Sequence, residues 1–520
     1  MHAPDGPIDP LDPLTPWYRT RKGMTAIVAV AALCAAGLAC LFWPSPPDNS
    51  CGGGAPGLHW AGSGADRECI GLTNETAYAA DPRLKSITEK IAAENRRVRD
   101  QWEHPGKGKS PVHYVKVGLL TPMSESDTSA LPIGEIKTSL EGAYIAQCRA
   151  NSCPGLSQNN AIGVGGTTTP QIQLVIANEG RGENHWKPVV DQLKDLTGGE
   201  HPLVAVTGMG ISIEETRKAA VELSRHNIPS IGAVLTATDL NAERLFKVSP
   251  SNTEYAKALR QYVDRDSTLS RGRGYLVFDS RPDNYVRTLR QAFDATFKGY
   301  IGDRRTSFVG ATGNKPAGTP RIFTNALNNI CQTKADMILY AGRDRDLGSF
   351  LTALAGGQCD KKRPLTVLTG ATGAFQQAKG REGLLVKHRI TLLDVSATSP
   401  ALWLKGRHAP PGFKPFHDSL KDLGFHEAIL DDGYAIMHHD AVLTAVWATR
   451  NVTGQTGKTT PDVHDVHNEI TNLNHTTTVP AASGRLSFDD ASNGWPHGKP
   501  IPLIRIPHPL DDPAPPYRTP

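Results

Sequence analysis

Short apolar runs alternating with amphipathic stretches organise most of the chain. From His113 onward, "HYVKVGLLTP" predicts a strand, "IGEIKTSLEGAYIAQCRAN" a helix, "IQLVIANEG" a strand, "WKPVVDQLKDLTG" a helix and "LVAVTG" a strand. "IEETRKAAVELSRHN" continues as a helix and "IPSIGAVL" as a strand. After "RLFKVSPS" the alternation resumes with "EYAKALRQYVDR", "GYLVFDS", "YVRTLRQAFDATFKG", "TSFVGAT", "RIFTNALNNICQTK", "ADMILYAG", "RDLGSFLTALAGG" and "LTVLTG". Val/Ile/Leu strands interleaved with helices carrying one apolar stripe call for parallel sheets covered on both faces. The units are too many for one sheet. The expectation is an α/β chain of two lobes, with Phe246–Ser251 as a crossing strand.

One junction stands out. In "LVAVTGMGISIEETRKAAVEL" a strand meets two glycines and a serine and turns at once into a helix. The unpaired N–H groups and positive dipole end of such a helix attract an anion or carboxylate. Ser212 has a competing use, because "S-I-E-E" fits a capping box with Glu215.

The N-terminal region departs from this pattern. Met24–Trp43 is an uncharged apolar run of bilayer-spanning length, preceded by Arg19, Arg21 and Lys22 and followed by Pro44, Pro46, Pro47 and Asp48. Positive charge on its N-terminal side predicts a cytoplasmic tail over residues 1–23 and an extracellular C-terminal portion, a single-pass cell-membrane protein. A cleaved signal peptide is the main alternative; the long polar lead and the long apolar core argue against it. Gly37 stands three before Cys40, where a lipoprotein signal wants a larger aliphatic residue. The segment Trp43–Gly57 then reads as a Pro/Gly linker, and Asp81–Trp102 as a charged amphipathic helix.

Charge and cysteines narrow the class. Lys plus Arg is 56 against 52 for Asp plus Glu, too even to suggest a nucleic-acid partner. Beyond Cys34 and Cys40 in the apolar run, Cys51, Cys69, Cys148, Cys153, Cys331 and Cys359 form an even set, which in an exported domain reads as disulfides. The pairing stays open, sequential neighbours being simplest. Zinc is the rival reading, and no C-x-x-C pair supports it.

The order of the pieces resembles the type I periplasmic solute-binding proteins, the branched-chain amino acid receptor group. "VKVGLLTPMS" and "LEGAYIAQCRAN" resemble that family's first strand, loop and helix, and "VAVTGMGISIEETRKAA" its strand–Gly–Ser–helix segment. "NIPSIGAVLTATDL" is similar to the next strand with its ligand loop, "LFKVSPSNTEYAKALRQYV" to the crossing, and "YLVFDSRPDNYVRTLRQAF" to the strand–helix carrying a Tyr. "ADMILYAG", "DGYAIMHHDAVLTAVWA" and "AASGRLSFDDASNGWPHGKPIPLIRI" resemble later segments. The likeness covers roughly His113 to Ile506. It implies two Rossmann-like lobes joined by crossing strands, with an N-terminal transmembrane helix added here. The implied division is 1–23 tail, 24–43 anchor, 44–111 linker and introductory helix, 112–249 with about 384–465 for lobe 1, and 250–383 with about 466–510 for lobe 2.

By position, the resemblance implies a ligand held by Ser124, Gly210, Ser212, Thr236, Thr238, Asp279 and Tyr285. The chain departs from the family pattern in having Pro122-Met123-Ser124 in the first loop, Val286 after Tyr285, and the charged run "GRDRDLG" after a lobe-two strand. The implied function is an extracytoplasmic receptor for a small polar, amino-acid-like ligand, working with an ABC permease or a signalling membrane protein. The alternative is a ligand-free scaffold or sensor ectodomain that binds a protein.

Enzyme chemistry finds no support: there is no G-x-S-x-G or H-E-x-x-H, and "GQTGKTT" has Val452 where a phosphate loop needs Gly. His464 with His467, and His438 with His439 and Asp440, invite a metal reading, but neither group offers a full ligand set and both are expected to be solvated. No metal or cofactor is implied.

Overall fold

A computed structural model describes Cys51 and residues 57–126, 129, 131–157, 164, 168–310, 322–357, 359, 363–474, 476–488, 493–509 and 514–520. The span expected over Met24–Trp43 lies outside these residues. Among the described residues, no helix is long and apolar enough to cross a membrane.

Two sheets carry the architecture. The first contains β1 (Leu58–Ala61), β2 (Glu68–Thr73), β3 (Tyr114–Thr121), β4 (Gln171–Asn178), β5 (Leu203–Gly208), β6 (Ser230–Gly232) and β7 (Leu245–Lys247), in the order β1-β2-β4-β3-β5-β6-β7. From β4 to β7 all neighbours are parallel, while β1 and β2 add antiparallel strands at one edge. The chain continues through β8 (Gly274–Asp279), β9 (Arg305–Phe308), β10 (Met337–Ala341), β11 (Leu365–Thr369) and β12 (Ile390–Val395). There follow a hairpin of β13 (Val479–Ala481) and β14 (Gly484–Leu486), then β15 (Pro500–Ile501), β16 (Leu503–Ile506) and β17 (Tyr517–Arg518). The second sheet runs β16-β12-β11-β10-β8-β9, parallel except for β16.

The buried side chains of β3, Val115, Val117, Leu119 and Leu120, explain why it sits in the middle of its sheet: both faces are covered by helices. The helix Tyr434–Thr456 is buried almost all round and packs against the helix Ile133–Asn151. Their contact depends on Gly142, where a Cβ would stand 1.9 Å from the Ala435 carbonyl oxygen.

Three connections pass between the lobes. Val248 belongs to the first core and Tyr255 to the second; Val395 to the second and Ala397 to the first; Phe488 to the first and Ile501 to the second. This moves the boundaries. β12 lies in the second sheet, so the stretch from about 384 to Val395 is part of lobe 2, because "ITLLDV" pairs in parallel with β11. Val466, Ile470, Val479, Leu486 and Phe488 pack in the first core, so residues 466–488 belong to lobe 1. The introductory segment is no mere linker: β1, β2 and the helix Pro82–Glu103 complete lobe 1.

Disulfides join Cys51 to Cys69, Cys148 to Cys153 and Cys331 to Cys359, the sequential pairing, with Cα–Cα separations of 5.7, 4.8 and 4.8 Å. His438, His439 and Asp440 are buried, not solvated. His439 Nδ1 faces Asp440 Oδ1 at 2.8 Å and its Nε2 faces Arg149 at 2.8 Å, while His438 Nδ1 meets the Tyr434 carbonyl at 3.0 Å. They are buried because their helix is packed on every side. His464 is exposed and His467 half-buried.

Candidate functional site

The turn after β5 is built around an internal carboxylate. Gly208, Met209 and Gly210 all have positive φ (87°, 62° and 49°). A Cβ at Gly210 would stand 2.0 Å from Glu183 Oε1, so the glycine exists to admit that side chain. Glu183 is buried, accepts from the Ile211 N–H at 3.0 Å and takes a hydrogen bond from the Thr216 hydroxyl. Burial pushes its carboxyl up to about 8, with Glu215 adding to the shift. The carboxyl group that occupies this turn is therefore the protein's own, and Gly210 serves Glu183.

Ser212 does not cap its helix. The helix Glu214–Arg225 begins after Ile213, which offers no side-chain cap. The Ser212 hydroxyl instead reaches the loop after β6, accepting from the N–H groups of Thr236 (3.0 Å) and Ala237 (3.2 Å). Its carbonyl accepts across the lobes, from the Tyr285 N–H at 3.3 Å and from Arg343 Nη2 at 3.0 Å. One residue thus ties two segments of lobe 1 to lobe 2.

Around it lies a small cavity of ≈ 30 Å³ lined by Ser212, Thr236, Tyr285, Arg343, Asp344 and Tyr434 among others. That is room for a water or two. Thr236 Oγ1 is buried there and has no hydrogen-bond partner among the described residues. Tyr285 donates its hydroxyl to the Gly370 carbonyl at 2.9 Å, and the Arg343 guanidinium sits 4.9 Å from its ring centroid. Arg343 pairs with Asp283 at 2.9 Å, and Asp283 also caps the following helix through the Val286 N–H. Burial pushes the phenols of Tyr285 and Tyr434 and the carboxyl of Asp344 upward.

Two larger chambers flank this centre. One of ≈ 510 Å³ is lined by Ser124, Glu183 and Ile211 from lobe 1 and by Arg281, Asp283 and Arg287 from lobe 2. The other, ≈ 640 Å³, lies between Glu135, Glu125 and Arg83 of lobe 1 and Asp344, Arg345 and Gln377 of lobe 2. Asp344 lines both this chamber and the central cavity.

The fold therefore brings Ser212, Thr236 and Tyr285 together at the centre and places Ser124 in a flanking chamber, its hydroxyl donating to Glu68 at 2.6 Å. Thr238 lies outside the central cavity, accepting at its carbonyl from Asn241. Asp279, at the end of β8, spends its carboxylate on the N–H groups of Arg281 and Gly310. Sequence reasoning missed Arg343, Asp344, Glu135 and Tyr434. Their signals were the charged run after β10 and the "DGY" opening of the helix Tyr434–Thr456.

No protein-family model and no curated protein matches the chain. Solved structures match over nearly their whole length. An ABC transporter substrate-binding protein from Desulfitobacterium hafniense, complexed with Leu, aligns at a TM-score of 0.54 and 15% identity, over 76% of this chain and 98% of that one. The branched-chain amino acid transporter substrate binding protein LivJ from Streptococcus pneumoniae, complexed with isoleucine, gives 0.53 at 16%, over 75% and 95%. A solute binding protein of an ABC transporter from Rhodopseudomonas palustris BisB5, complexed with 3,4-dihydroxybenzoic acid, gives 0.53 at 12%, over 76% and 94%. The fold is that of the type I periplasmic binding proteins.

Proposed function

We propose that this chain is an extracytoplasmic solute-binding receptor for a small polar, amino-acid-like molecule, tethered by its N-terminal apolar segment and serving an ABC-type permease or a membrane signalling partner. The observation that carries the reading is the convergence of polar side chains from both lobes on one cleft. Ser212 and Thr236 come from lobe 1, and Tyr285, Arg343 and Asp344 from lobe 2. A ligand seated in the chamber beside Asp344 touches both lobes. It favours the closed form by its differential contacts, and the three crossings supply the hinge. The solute-binding proteins with which the fold aligns, two of them complexed with amino acids, support this reading.

The test is native mass spectrometry of the full chain, followed by denaturation to release any passenger, together with a thermal-shift panel of amino acids and aromatic acids. A stoichiometric small-molecule passenger is expected, or a shift equivalent to about 2.7 kcal/mol for a ligand at a hundred times its Kd. A clean mass with no shift across the panel overturns the receptor and leaves a protein-binding scaffold.

A further inference from the structure

We propose that the end of lobe 2 opposite the cleft docks on an anionic phospholipid bilayer; this rests on the membrane tether read above and not on the cleft's ligand. β9, β8, β10, β11 and β12 run parallel, so they start at one end and the residues just before them form one face. The carboxyl ends of β10 and β11 lead to Arg343 and Ala371 in the central cavity, which puts the strand starts at the far end. Arg271 and Arg273 precede β8, and Arg304 precedes β9. Lys334 precedes β10, Arg363 precedes β11, and Lys387 and Arg389 precede β12. Backbone bonds set these side by side: the Asp336 N–H donates to the Arg273 carbonyl at 2.9 Å, that of Leu276 to Arg304 at 3.0 Å and that of Leu365 to Arg389 at 3.0 Å. Strands about 4.8 Å apart make the face about 20 Å wide.

The even charge of the whole chain hides this asymmetry. Among the described residues in the three positions before each of these strands, seven Lys or Arg stand against Asp303 and Asp336. The parallel strands of lobe 1, β3 to β7, are the internal comparison: the same positions hold Arg244 against Glu200 and Glu243. A lobe of the same construction carries no such charge, so the fold does not demand it. The acids around the basic face are already matched. Asp336 takes the Arg273 N–H at 2.8 Å and pairs with Arg363, Asp294 pairs with Arg305 at 2.9 Å, and Asp264 with Arg260 at 2.7 Å. Arg271, Arg273, Lys334, Lys387 and Arg389 are exposed. Cations spread over a broad face suit an extended anionic surface, whereas one small anion needs donors that converge on a point. A bilayer is the surface that a tethered chain has beside it. Each exposed Lys or Arg brought within a Debye length of anionic lipid strengthens docking about fivefold.

The experiment reconstitutes the full chain with nanodiscs of phosphatidylcholine, alone or mixed with phosphatidylglycerol, and reads brief acetylation of its lysines by mass spectrometry. Lys334 and Lys387 are expected to react at least about fivefold more slowly on the anionic discs than on the neutral ones. The exposed Lys194 and Lys218 of lobe 1 should react equally on both. The slowing should vanish in about 1 M salt, where the Debye length is about 3 Å. Arg271→Gln combined with Arg273→Gln should restore most of the reactivity at an unchanged unfolding temperature; should that variant misfold, the lipid and salt comparisons on the unaltered chain carry the test. Equal rates on both discs, slowing that extends equally to lobe 1, or slowing that survives the salt overturns the proposal. Protection of Lys334 and Lys387 by soluble polyphosphate but not by anionic discs assigns the face to an anionic polymer and overturns the bilayer. The cleft's ligand panel is a separate measurement, so the receptor stands or falls independently of this result.

Discussion

Arg343, held by a buried ion pair with Asp283 of its own lobe, reaches across the cleft to the Ser212 carbonyl, and removing it separates opening from unfolding. The side chains of Arg343 and Asp283 are 8% and 1% exposed. Nε donates to Asp283 Oδ2 at 2.9 Å, and Nη2 donates to the Ser212 carbonyl in the other lobe at 3.0 Å. Arg343→Met keeps most of the volume and deletes the charge. In the closed cleft it strands the Asp283 carboxylate, a cost of about 3–5 kcal/mol. Opening the cleft rehydrates Asp283 and removes most of that cost, so the variant relieves itself by opening.

The remaining bridges are weaker. Arg287 and Asp239 pair across the lobes with side chains 44% and 33% exposed, worth about 0–1 kcal/mol. A bias of about 3–5 kcal/mol moves the closed-to-open ratio by about 10²- to 10⁴-fold. Amide hydrogen exchange reads this out directly. The Tyr285 amide, bonded to the Ser212 carbonyl across the cleft, should exchange about 10²- to 10⁴-fold faster, while the amides of β3 and β10 keep their protection. Acceleration of β3 and β10 to the same extent would mean unfolding, and an unchanged Tyr285 amide would mean the pair holds nothing. Either result refutes the reasoning.

Two further outcomes concern buried carboxylates in lobe 1. Asp440 accepts from the N–H groups of Ala482 (2.8 Å) and Ser483 (2.7 Å), from the Ser483 hydroxyl and from His439, with Lys499 bonded to the same hydroxyl. Asp440→Ala strands all of these and should lower stability by about 3–5 kcal/mol in urea titrations; a midpoint equal to wild type contradicts it. Burial raises Asp432 to about 7, so the folded state keeps a proton that the unfolded state releases. Its contribution is present below about pH 4 and lost as pH rises to about 7, roughly 4 kcal/mol in all. Asp432→Asn should therefore gain on the wild type between pH 4.5 and 8 in paired urea titrations, and parallel pH profiles would count against it.

The alternation of strands and helices was legible because each element's burial is local chemistry. β5 and the helix Ile133–Asn151 fall where the apolar pattern places them. The edge strands β1 and β2 were not legible, β1 being four residues between glycines and β2 having Gly71 inside it. "ITLLDV" was passed over as well, and with it the true point of return between lobes. Ser212, Thr236 and Tyr285, which the resemblance implied by position, do line the cleft. Arg343, Asp344 and Glu135 were not implied, since a charged residue in a sequence reads as a solvated face until another lobe covers it.

By itself, then, the sequence determined the α/β class, the two-lobed plan and the cysteines available for pairing, because periodicity and cysteine count act along the chain. Tertiary structure alone decided that Glu183 fills the helix-start turn, that Ser212 spans two loops and both lobes, and that two acids from distant helices meet. Those facts depend on which segments desolvate one another. A carboxylate's charge state and partners are set by neighbours hundreds of residues away, and no local pattern encodes them.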